Sequence, residues 1–274
     1  MNNSIAIYCV NYNSYDELNN YLNSIDNALK SSSIPIKLTV FIGDNSKPKK
    51  DHKFKTKSFN VNFMVFEDNK GYLGTVYEMI EIIGIKKIKN FNYHVISNVD
   101  ITLDVLFFQK LFGMENTEKI AWIAPSIISL KRNVDINPAM IYRPTILKLK
   151  LLIFSFKYPI IHYFKQFYGC FKSCFKKRKF THKIYAGHGS IMIFSKSFFL
   201  KSMNFKFQEF LFGEELFFAE QIHELKLNVK YEPSIKVYDI ENVSTKKLPS
   251  KLKRKFRVDS LKFIFNSFYK KAKY

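Results

Sequence analysis

The chain has 274 residues, of which 47% are hydrophobic and 24% are charged. This length allows one large hydrophobic core, and the small number of Gly and Pro residues excludes a low-complexity or disordered chain. Lys and Arg total 44 against 23 Asp and Glu, so the formal net charge is +21 and the partners are expected to be anionic. Nucleic acid, anionic lipid and phosphorylated substrates all meet this condition.

The start of the chain shows no basic region followed by an apolar segment, so we recognise no secretory signal and expect a cytoplasmic protein. Its three cysteines, Cys9, Cys170 and Cys174, fit a reducing compartment. A zinc site built from Cys170, Cys174, His162 and His182 is disfavoured, because these residues lack the usual paired spacing. Lysines interrupt every apolar run before about 18 residues, so we expect the protein to lie on a membrane without crossing it.

Short apolar runs alternate with helical patterns through the first hundred residues. Strands are predicted at residues 4–10, 37–42, 61–66 and 93–97, and helices at residues 18–29 and 72–83. Strands that alternate with helices predict an α/β fold, with a mostly parallel sheet and helices on both faces. Ligands of such sheets bind beyond the carboxyl ends of the strands.

Polar side chains follow three of these predicted strands. They are Asn11 and Asn13, Asp44 and Asn45, and Asn98 and Asp100. Asn and Asp favour turns in general, so each pair by itself is compatible with a purely structural role. Three such pairs in succession predict a binding site at one edge of the sheet.

A basic and aromatic segment interrupts the second half of the chain. No Asp or Glu occurs between Ile136 and Gln208, while Lys and Arg accumulate from Arg143 to Lys179 among many Leu, Ile, Phe and Tyr residues. We interpret residues 136–183 as a helical insertion that lies on an anionic membrane surface, divided into two helices at Pro159. The alternative is a helical hairpin that packs on the sheet and exposes a solvated Lys face.

Residues 251–269 show the same combination of charge and apolar periodicity. Basic residues precede Leu261, Phe263, Ile264, Phe265 and Phe268, which predicts a second basic amphipathic helix at the C-terminus. We therefore separate the insertion (136–183) and the C-terminal helix (246–274) from the segments 1–135 and 184–245.

An ordered set of short motifs runs through the segments 1–135 and 184–245. The set comprises Ile7-Tyr8-Cys9-Val10-Asn11-Tyr12-Asn13, Ile42-Gly43-Asp44-Asn45-Ser46, Asp68-Asn69-Lys70-Gly71-Tyr72-Leu73-Gly74, Ile96-Ser97-Asn98-Val99-Asp100, Phe210-Leu211-Phe212-Gly213-Glu214-Glu215, Tyr231-Glu232-Pro233, Val237-Tyr238-Asp239 and Val243-Ser244-Thr245. In this order they resemble the GT-A-fold glycosyltransferases of family 2, especially the bacterial enzymes that build surface polysaccharides. Each motif alone is weak, whereas the ordered set covers most of residues 4–245.

The resemblance implies that residues 1–135 form a nucleotide-sugar-binding half and residues 184–245 an acceptor and catalytic half, and it implies roles for individual residues. Asp100 and Asp239 would hold a divalent cation, Mn²⁺ or Mg²⁺, beside the diphosphate of a nucleotide-sugar donor. Glu215, with Glu214 beside it, would remove the proton of the acceptor hydroxyl. The donor-binding residues would be Asn11, Tyr12, Asp44, Asn69, Gly71, Asn98, Gly187 and His188.

This sequence departs from the family pattern at three positions. Asn98 stands where relatives often have a second acid, Gln221 where they usually have Arg, and Asp239 where they commonly have His. His188 could replace the missing imidazole. We therefore expect this protein to differ from its relatives mainly in how it binds the metal and the diphosphate.

We therefore expect an inverting glycosyltransferase with a lipid-linked or oligosaccharide acceptor, peripheral on the inner face of the cell membrane. One alternative is a catalytically impaired relative that acts as a scaffold, which Asn98, Gln221 and Asp239 suggest. The other is a basic nucleic-acid-binding protein, which the net charge suggests. Acids at successive strand ends do not fit a nucleic-acid partner, so none is expected.

Overall fold

The computed structural model describes residues 3–47, 58–114, 119–158, 182–202, 206–240 and 248–270. The strands are β1 (Asn3–Asn11), β2 (Ile36–Asp44), β3 (Asn60–Val65), β4 (Tyr93–Ser97), β5 (Ile101–Leu103), β6 (Ile120–Ser129), β7 (Val134–Asp135), β8 (Lys183–Ile184), β9 (Ile191–Ser195) and β10 (Asn228–Asp239). The helices are α1 (Tyr15–Lys30), α2 (Gly71–Ile83), α3 (Ile85–Ile88), α4 (Phe107–Phe112), α5 (Ile146–Lys157), α6 (Lys196–Ser202), α7 (Glu214–Glu224) and α8 (Ser250–Ile264), which continues into a π-helical turn, Phe265–Tyr269.

All ten strands form one sheet, in the order β3-β2-β1-β4-β9-β6-β10-β5, with β7 on β6 and β8 on β10. The first four strands of this order are parallel, as the alternating pattern predicted. Strand β9 is antiparallel to both β4 and β6, and β10 is again parallel to β6. The α/β prediction is confirmed, but parallel pairing is confined to β3-β2-β1-β4 and β6-β10 because β9 enters between them in the opposite direction.

Each face of the sheet carries its own hydrophobic core, because successive side chains of a strand point to opposite faces. In β1, Ile5, Ile7 and Cys9 pack with the buried face of α1. Ala6 and Tyr8 point the other way, into a core rich in aromatic rings that includes Trp122. Helices therefore cover both faces, as expected for a parallel α/β core.

The insertion and the C-terminal helix pack against each other. Helix α5 begins after Thr145, whose side-chain oxygen accepts a hydrogen bond of 3.2 Å from the Lys148 amide, and ends before Pro159. Helix α8 buries Val258 and Ile264 in the protein, and Phe268 and Tyr269 follow them into the core. The C-terminal helix is thus confirmed, but its predicted apolar face is used for internal packing.

A buried glutamate joins the insertion, α7 and the C-terminus. Glu220 is 0% exposed and receives hydrogen bonds from the Arg143 guanidinium, the shortest being 2.7 Å. The hydroxyl groups of Tyr185 and Tyr269 donate to the same carboxylate. Several donors around one buried carboxylate offset its loss of hydration, so this cluster can stabilise the three-way junction.

Helix α5 also carries an apolar stripe that the described residues leave uncovered. Leu147, Leu151, Phe154 and Tyr158 lie three or four residues apart, on one face of the helix, and are 67%, 47%, 49% and 44% exposed. None of the helices within the described ranges has the length and apolar character needed to cross a membrane. The predicted second helix of the insertion, with Cys170 and Cys174, and the motif at 243–245 lie outside the described residues.

Candidate active site

A cavity of about 780 Å³ opens at the carboxyl ends of β1 and β4. Nine of the predicted site residues line it: Tyr12, Asn69, Gly71, Asn98, Asp100, His188, Glu214, Glu215 and Asp239. The other three, Asn11, Asp44 and Gly187, do not line it. The fold therefore brings residues from distant parts of the sequence to one concave surface, which is where parallel α/β sheets bind ligands.

Asp44 lies behind the cavity wall rather than on it. Its Oδ1 accepts hydrogen bonds from Asn11 Nδ2 at 2.9 Å and from Ser46 Oγ at 2.5 Å, and its Oδ2 accepts one from the Tyr15 hydroxyl at 2.8 Å. Asp44 and Asn11 are both 0% exposed. Both oxygens of Asp44 thus bind groups in and next to the turn after β1, and a contact of Asp44 with the donor stays a prediction. In the described geometry, Asn11 and Asp44 stabilise that turn through hydrogen bonds.

The start of α2 forms a second part of the wall. Asn69 Oδ1 accepts a hydrogen bond of 3.0 Å from the Gly71 amide, and Asn45 Nδ2 donates to Asn69 Oδ1 at 3.2 Å and to Thr75 Oγ1 at 2.7 Å. Asn45 Oδ1 is buried and has no partner among the described residues. An unpartnered buried oxygen beside a cavity is a candidate acceptor for a ligand group.

Gly71 allows the backbone to approach that of Phe210. Its φ is +75°, and a Cβ atom built on it would lie 2.0 Å from the Phe210 carbonyl oxygen. The amide of Tyr72 donates to the same oxygen at 3.4 Å. Only glycine fits this position, which joins the two halves of the predicted fold across the cavity.

Asp100 and Asp239 come from separate strand ends that adjoin in the sheet. Asp239 pairs with Ile101 in the antiparallel register of β10 and β5, and the Ile240 amide donates to the Asp100 carbonyl at 3.1 Å. Both acids are nearly buried, at 5% and 3% exposure. Ser190 Oγ donates to Asp239 Oδ2 at 2.5 Å and lies 2.9 Å from His188 Nδ1, so the three side chains form one chain of hydrogen bonds.

This arrangement fits a cation that is shared with a ligand rather than enclosed by protein. Within the described ranges, no three His, Cys, Asp or Glu side chains converge as a metal cage. Mg²⁺ is commonly held by one or two carboxylates together with substrate phosphates. Asp100 and Asp239 meet that requirement, because two hard oxygen donors face the same cavity.

Glu214 and Glu215 are the first two residues of α7 and line the same cavity as the aspartates. Glu215 Oε1 accepts a hydrogen bond of 3.2 Å from the Gly189 amide, and a Cβ on Gly189 would lie 2.8 Å from this oxygen. Glu214 Oε1 accepts one of 2.9 Å from the Phe212 amide. Burial, with the charge of Glu215 as a second cause, raises the pKa of Glu214 to about 8. Burial therefore favours the protonated form of Glu214, and a catalytic role for Glu214 stays a prediction.

Gly187 and His188 have different surroundings although they are adjacent. A Cβ on Gly187 would lie 2.7 Å from Ala124 Cβ and 2.9 Å from the Trp122 ring, so Gly187 serves close packing against β6. The amide of His188 donates to Asn137 Oδ1 at 2.7 Å, and the imidazole lies on the cavity wall. Our assignment of Gly187 to the pocket surface is thus not supported by its position.

Several cavity residues were not selected from the sequence. Arg132 lies in the turn after β6, where its amide donates to Ser129 Oγ at 3.0 Å, and Ser190 links His188 to Asp239. Helix α8 closes the outer wall with Leu252, Phe256 and Arg257. Ser190 follows directly on the Gly187-His188-Gly189 segment, which could have drawn attention to it. For α8 the sequence contains no such signal, because its pattern is also that of a membrane-surface helix.

No family model matches the chain, and no curated protein is similar enough in sequence to be matched. Solved structures with a similar fold include S. aureus TarS, with a TM-score of 0.51 and 11% identity over 96% of this chain. A structure of GalNAc-T7 with UDP, GalNAc and Mn²⁺ has a TM-score of 0.52 and 12% identity, again over 96% of this chain. S. aureus TarS 1–349 in complex with UDP-GlcNAc gives 0.51 and 9% over 94%.

These neighbours are glycosyltransferases, and the fold is of their GT-A-like type: a central multi-stranded sheet flanked by helices. The chain covers 44% of TarS, 50% of GalNAc-T7 and 66% of the shorter TarS, so it spans about half to two thirds of their length. At such low identity the similarity concerns the fold. The activity has to be argued from the cavity itself.

Proposed function

We propose that the protein is a nucleotide-sugar-dependent glycosyltransferase of the inverting type, similar to the family 2 enzymes of bacterial surface-polysaccharide synthesis. The observation that carries the proposal is the distribution of acids in one cavity on a GT-A-like fold. Asp100 and Asp239 line the cavity where β5 and β10 adjoin, which we call the aspartate side, and Glu214 and Glu215 line it at the start of α7, which we call the glutamate side. Sugar transfer needs these two functions, which are the binding of a charged leaving group and the removal of a proton.

The aspartate side suits the donor diphosphate. A divalent cation, Mn²⁺ or Mg²⁺, bound to Asp100 and Asp239 would neutralise the charge that develops on the leaving diphosphate. Arg132 adds a permanent positive charge to the same wall, which compensates for the lack of a basic side chain at position 239. The neighbouring wall, with Tyr12, Asn69 and the unpartnered oxygen of Asn45, offers polar contacts for the nucleoside.

The glutamate side suits the acceptor. Glu215 accepts the proton of the acceptor hydroxyl while the oxygen of that hydroxyl forms a bond to the anomeric carbon of the donor sugar. The bond from that carbon to the diphosphate oxygen breaks in the same step, so the configuration of the carbon inverts. The Gly189 amide orients Glu215, and the largely protonated Glu214 does not compete for the proton.

The proposal is tested by a screen of nucleotide sugars for donor hydrolysis and transfer, with Mn²⁺, with Mg²⁺ and with chelator. We expect Glu215→Gln to lower turnover at least about 100-fold, the lower range for loss of a general base, while donor affinity changes little. Glu224→Gln, at the exposed end of the same helix, is the control. Failure of every nucleotide sugar to bind in calorimetry would favour a scaffold without catalytic activity.

We propose further that α5 places the enzyme on an anionic membrane, at the inner face of the cell membrane, beside a lipid-linked saccharide acceptor. The exposed stripe of Leu147, Leu151, Phe154 and Tyr158 supports this, because neighbouring Lys148, Lys150 and Lys157 are exposed as well and α5 contains no acid. Apolar side chains would enter the headgroup region while the lysines meet anionic lipid.

Vesicle co-sedimentation tests this part separately. Leu151→Ser with Phe154→Ser should reduce binding to vesicles that contain phosphatidylglycerol, because about 1 kcal/mol or more of burial is lost at each position. Ile82→Ser, at an apolar residue on α2 that is even more exposed, should leave binding unchanged. Equal binding of all three proteins would contradict membrane docking through α5 and leave the proposed reaction untouched.

A further inference from the structure

Arg257 lies on the cavity wall between two aromatic rings. Its guanidinium carbon is 4.6 Å from the centre of the Phe212 ring and 5.3 Å from that of the Phe156 ring. Phe212 belongs to the turn before α7, and Phe156 belongs to α5. Rings on which a guanidinium stacks fix its plane but leave its N–H edge free to bind an anion.

The positive charge of Arg257 is not neutralised by a carboxylate. Among the described residues no Asp or Glu lies within ion-pair distance of it, although Glu214 and Glu215 are near enough to act on it through their charge. Among the described residues that line the cavity, Arg132 and Arg257 are the two arginines and none is a lysine. Arg132 lies in the turn after β6, whose last residue pairs with Asp239. Glu215 and Glu214 act on Arg257 through their charge, so Arg257 is the arginine on the glutamate side.

The surroundings of Arg257 combine this charge with apolar surface. Leu252 and Phe256 precede it on the cavity wall. On its other side, Phe156 belongs to the helix whose exposed stripe includes Leu151 and Phe154. A ligand with an anionic group next to an alkyl chain would therefore find a partner for each part within a short distance.

We propose that Arg257 binds a phosphate group of the acceptor, at the junction between its lipid chain and its saccharide. This inference rests on the proposed function, because Glu215 defines the acceptor side of the cavity. Arg257 is then a specificity-determining residue: it selects saccharides that are linked to lipid through phosphate. A guanidinium can donate two parallel N–H bonds to phosphate oxygens, which favours this group over a neutral one.

The test uses octyl phosphate as the probe and octanol as its uncharged counterpart, in ligand-observed NMR titrations of the full chain. The titrations are run with and without UDP and Mn²⁺. Arg257→Gln should weaken the binding of octyl phosphate about 10-fold or more, as expected for the loss of charge-assisted hydrogen bonds. Octanol binding should stay the same. Lys255→Gln removes an equal charge two residues earlier, on the opposite face of α8, and should change either affinity less than about 2-fold.

Each other outcome overturns the proposal. Equal octyl phosphate binding by Arg257→Gln and the unaltered protein excludes Arg257 as the phosphate ligand, and an equal loss in Lys255→Gln indicates unspecific attraction. Loss of binding to phosphatidylglycerol vesicles in Arg257→Gln, without loss of octyl phosphate binding, assigns the anion to membrane headgroups. Failure of the proposed function would appear differently, as the absence of nucleotide binding and donor turnover, while the titrations without UDP can still be interpreted.

Discussion

The ionisation of Glu214 should make the free energy of unfolding depend on pH, and Glu214→Gln should remove this dependence. The pKa of Glu214 is raised from the ordinary value of 4.5 to about 8, first by burial and then by the charge of Glu215. The folded protein therefore holds a proton that the unfolded chain releases above pH 4.5. The stabilising contribution of this group is fully present below pH 4.5 and is lost as the pH rises through about 8.

The size of the effect follows from the shift. A rise of the pKa from 4.5 to about 8 corresponds to a free energy on the order of 5 kcal/mol, which is reached once the pH exceeds both values. Glu214→Gln keeps an oxygen for the Phe212 amide and cannot ionise. Its free energy of unfolding relative to the unaltered protein should therefore increase by several kcal/mol between pH 5 and pH 9.

The assay is urea unfolding at pH 5, 6, 7, 8 and 9, followed by circular dichroism. Glu224→Gln, an exposed acid at the end of the same helix, should shift the whole curve without changing its slope against pH. Transfer activity at pH 7 should persist in Glu214→Gln, because Glu214 already carries its proton there. Parallel pH curves for Glu214→Gln and the unaltered protein would refute the reasoning.

Three further substitutions test other parts of the site. Gly84→Ala, at φ +83° and ψ 140° with nothing within 4 Å of its Cβ, should lower the free energy of unfolding by about 1–3 kcal/mol through backbone strain. Gly71→Ala should lower it more in the same chemical denaturation, because its Cβ would also meet the Phe210 carbonyl oxygen at 2.0 Å. Glu220→Gln should destabilise the protein by about 1–3 kcal/mol, because it removes a buried charge-assisted acceptor from the half-exposed Arg143, and calorimetric melting measures this. Asp100→Asn should abolish the gain in donor affinity that Mn²⁺ produces, as titration with and without chelator would reveal; an unchanged gain would remove Asp100 from the metal site.

The buried cluster around Glu220 connects two regions that the sequence presents as appendages. Arg143 comes from the insertion and Tyr269 from the C-terminus, and both bind a carboxylate on the helix that begins with the glutamate pair. Helix α8 is held by this cluster and closes the cavity. The insertion and the C-terminal helix therefore belong to the architecture of the site, whatever they bind outside it.

The sequence alone determined the alternation of strands and helices and the polar residues at the strand ends. Apolar runs and helical periodicity are local patterns, which a sequence shows directly. The predicted elements therefore agree with β1, β4 and α2 to within a residue at either end: the strands at 4–10 and 93–97 and the helix at 72–83. Nine of the twelve predicted site residues lie on one cavity because the carboxyl ends of parallel strands share one edge.

Only the tertiary structure decided which of those side chains face the cavity and which support it. Asp44 lies behind the wall because Tyr15 and Asn11 occupy its oxygens, and Glu214 holds a proton because of its burial beside Glu215. Arg257 reaches the cavity because α8 packs across its mouth. Each of these properties depends on contacts or burial that the three-dimensional packing creates, and no local pattern in the sequence encodes them.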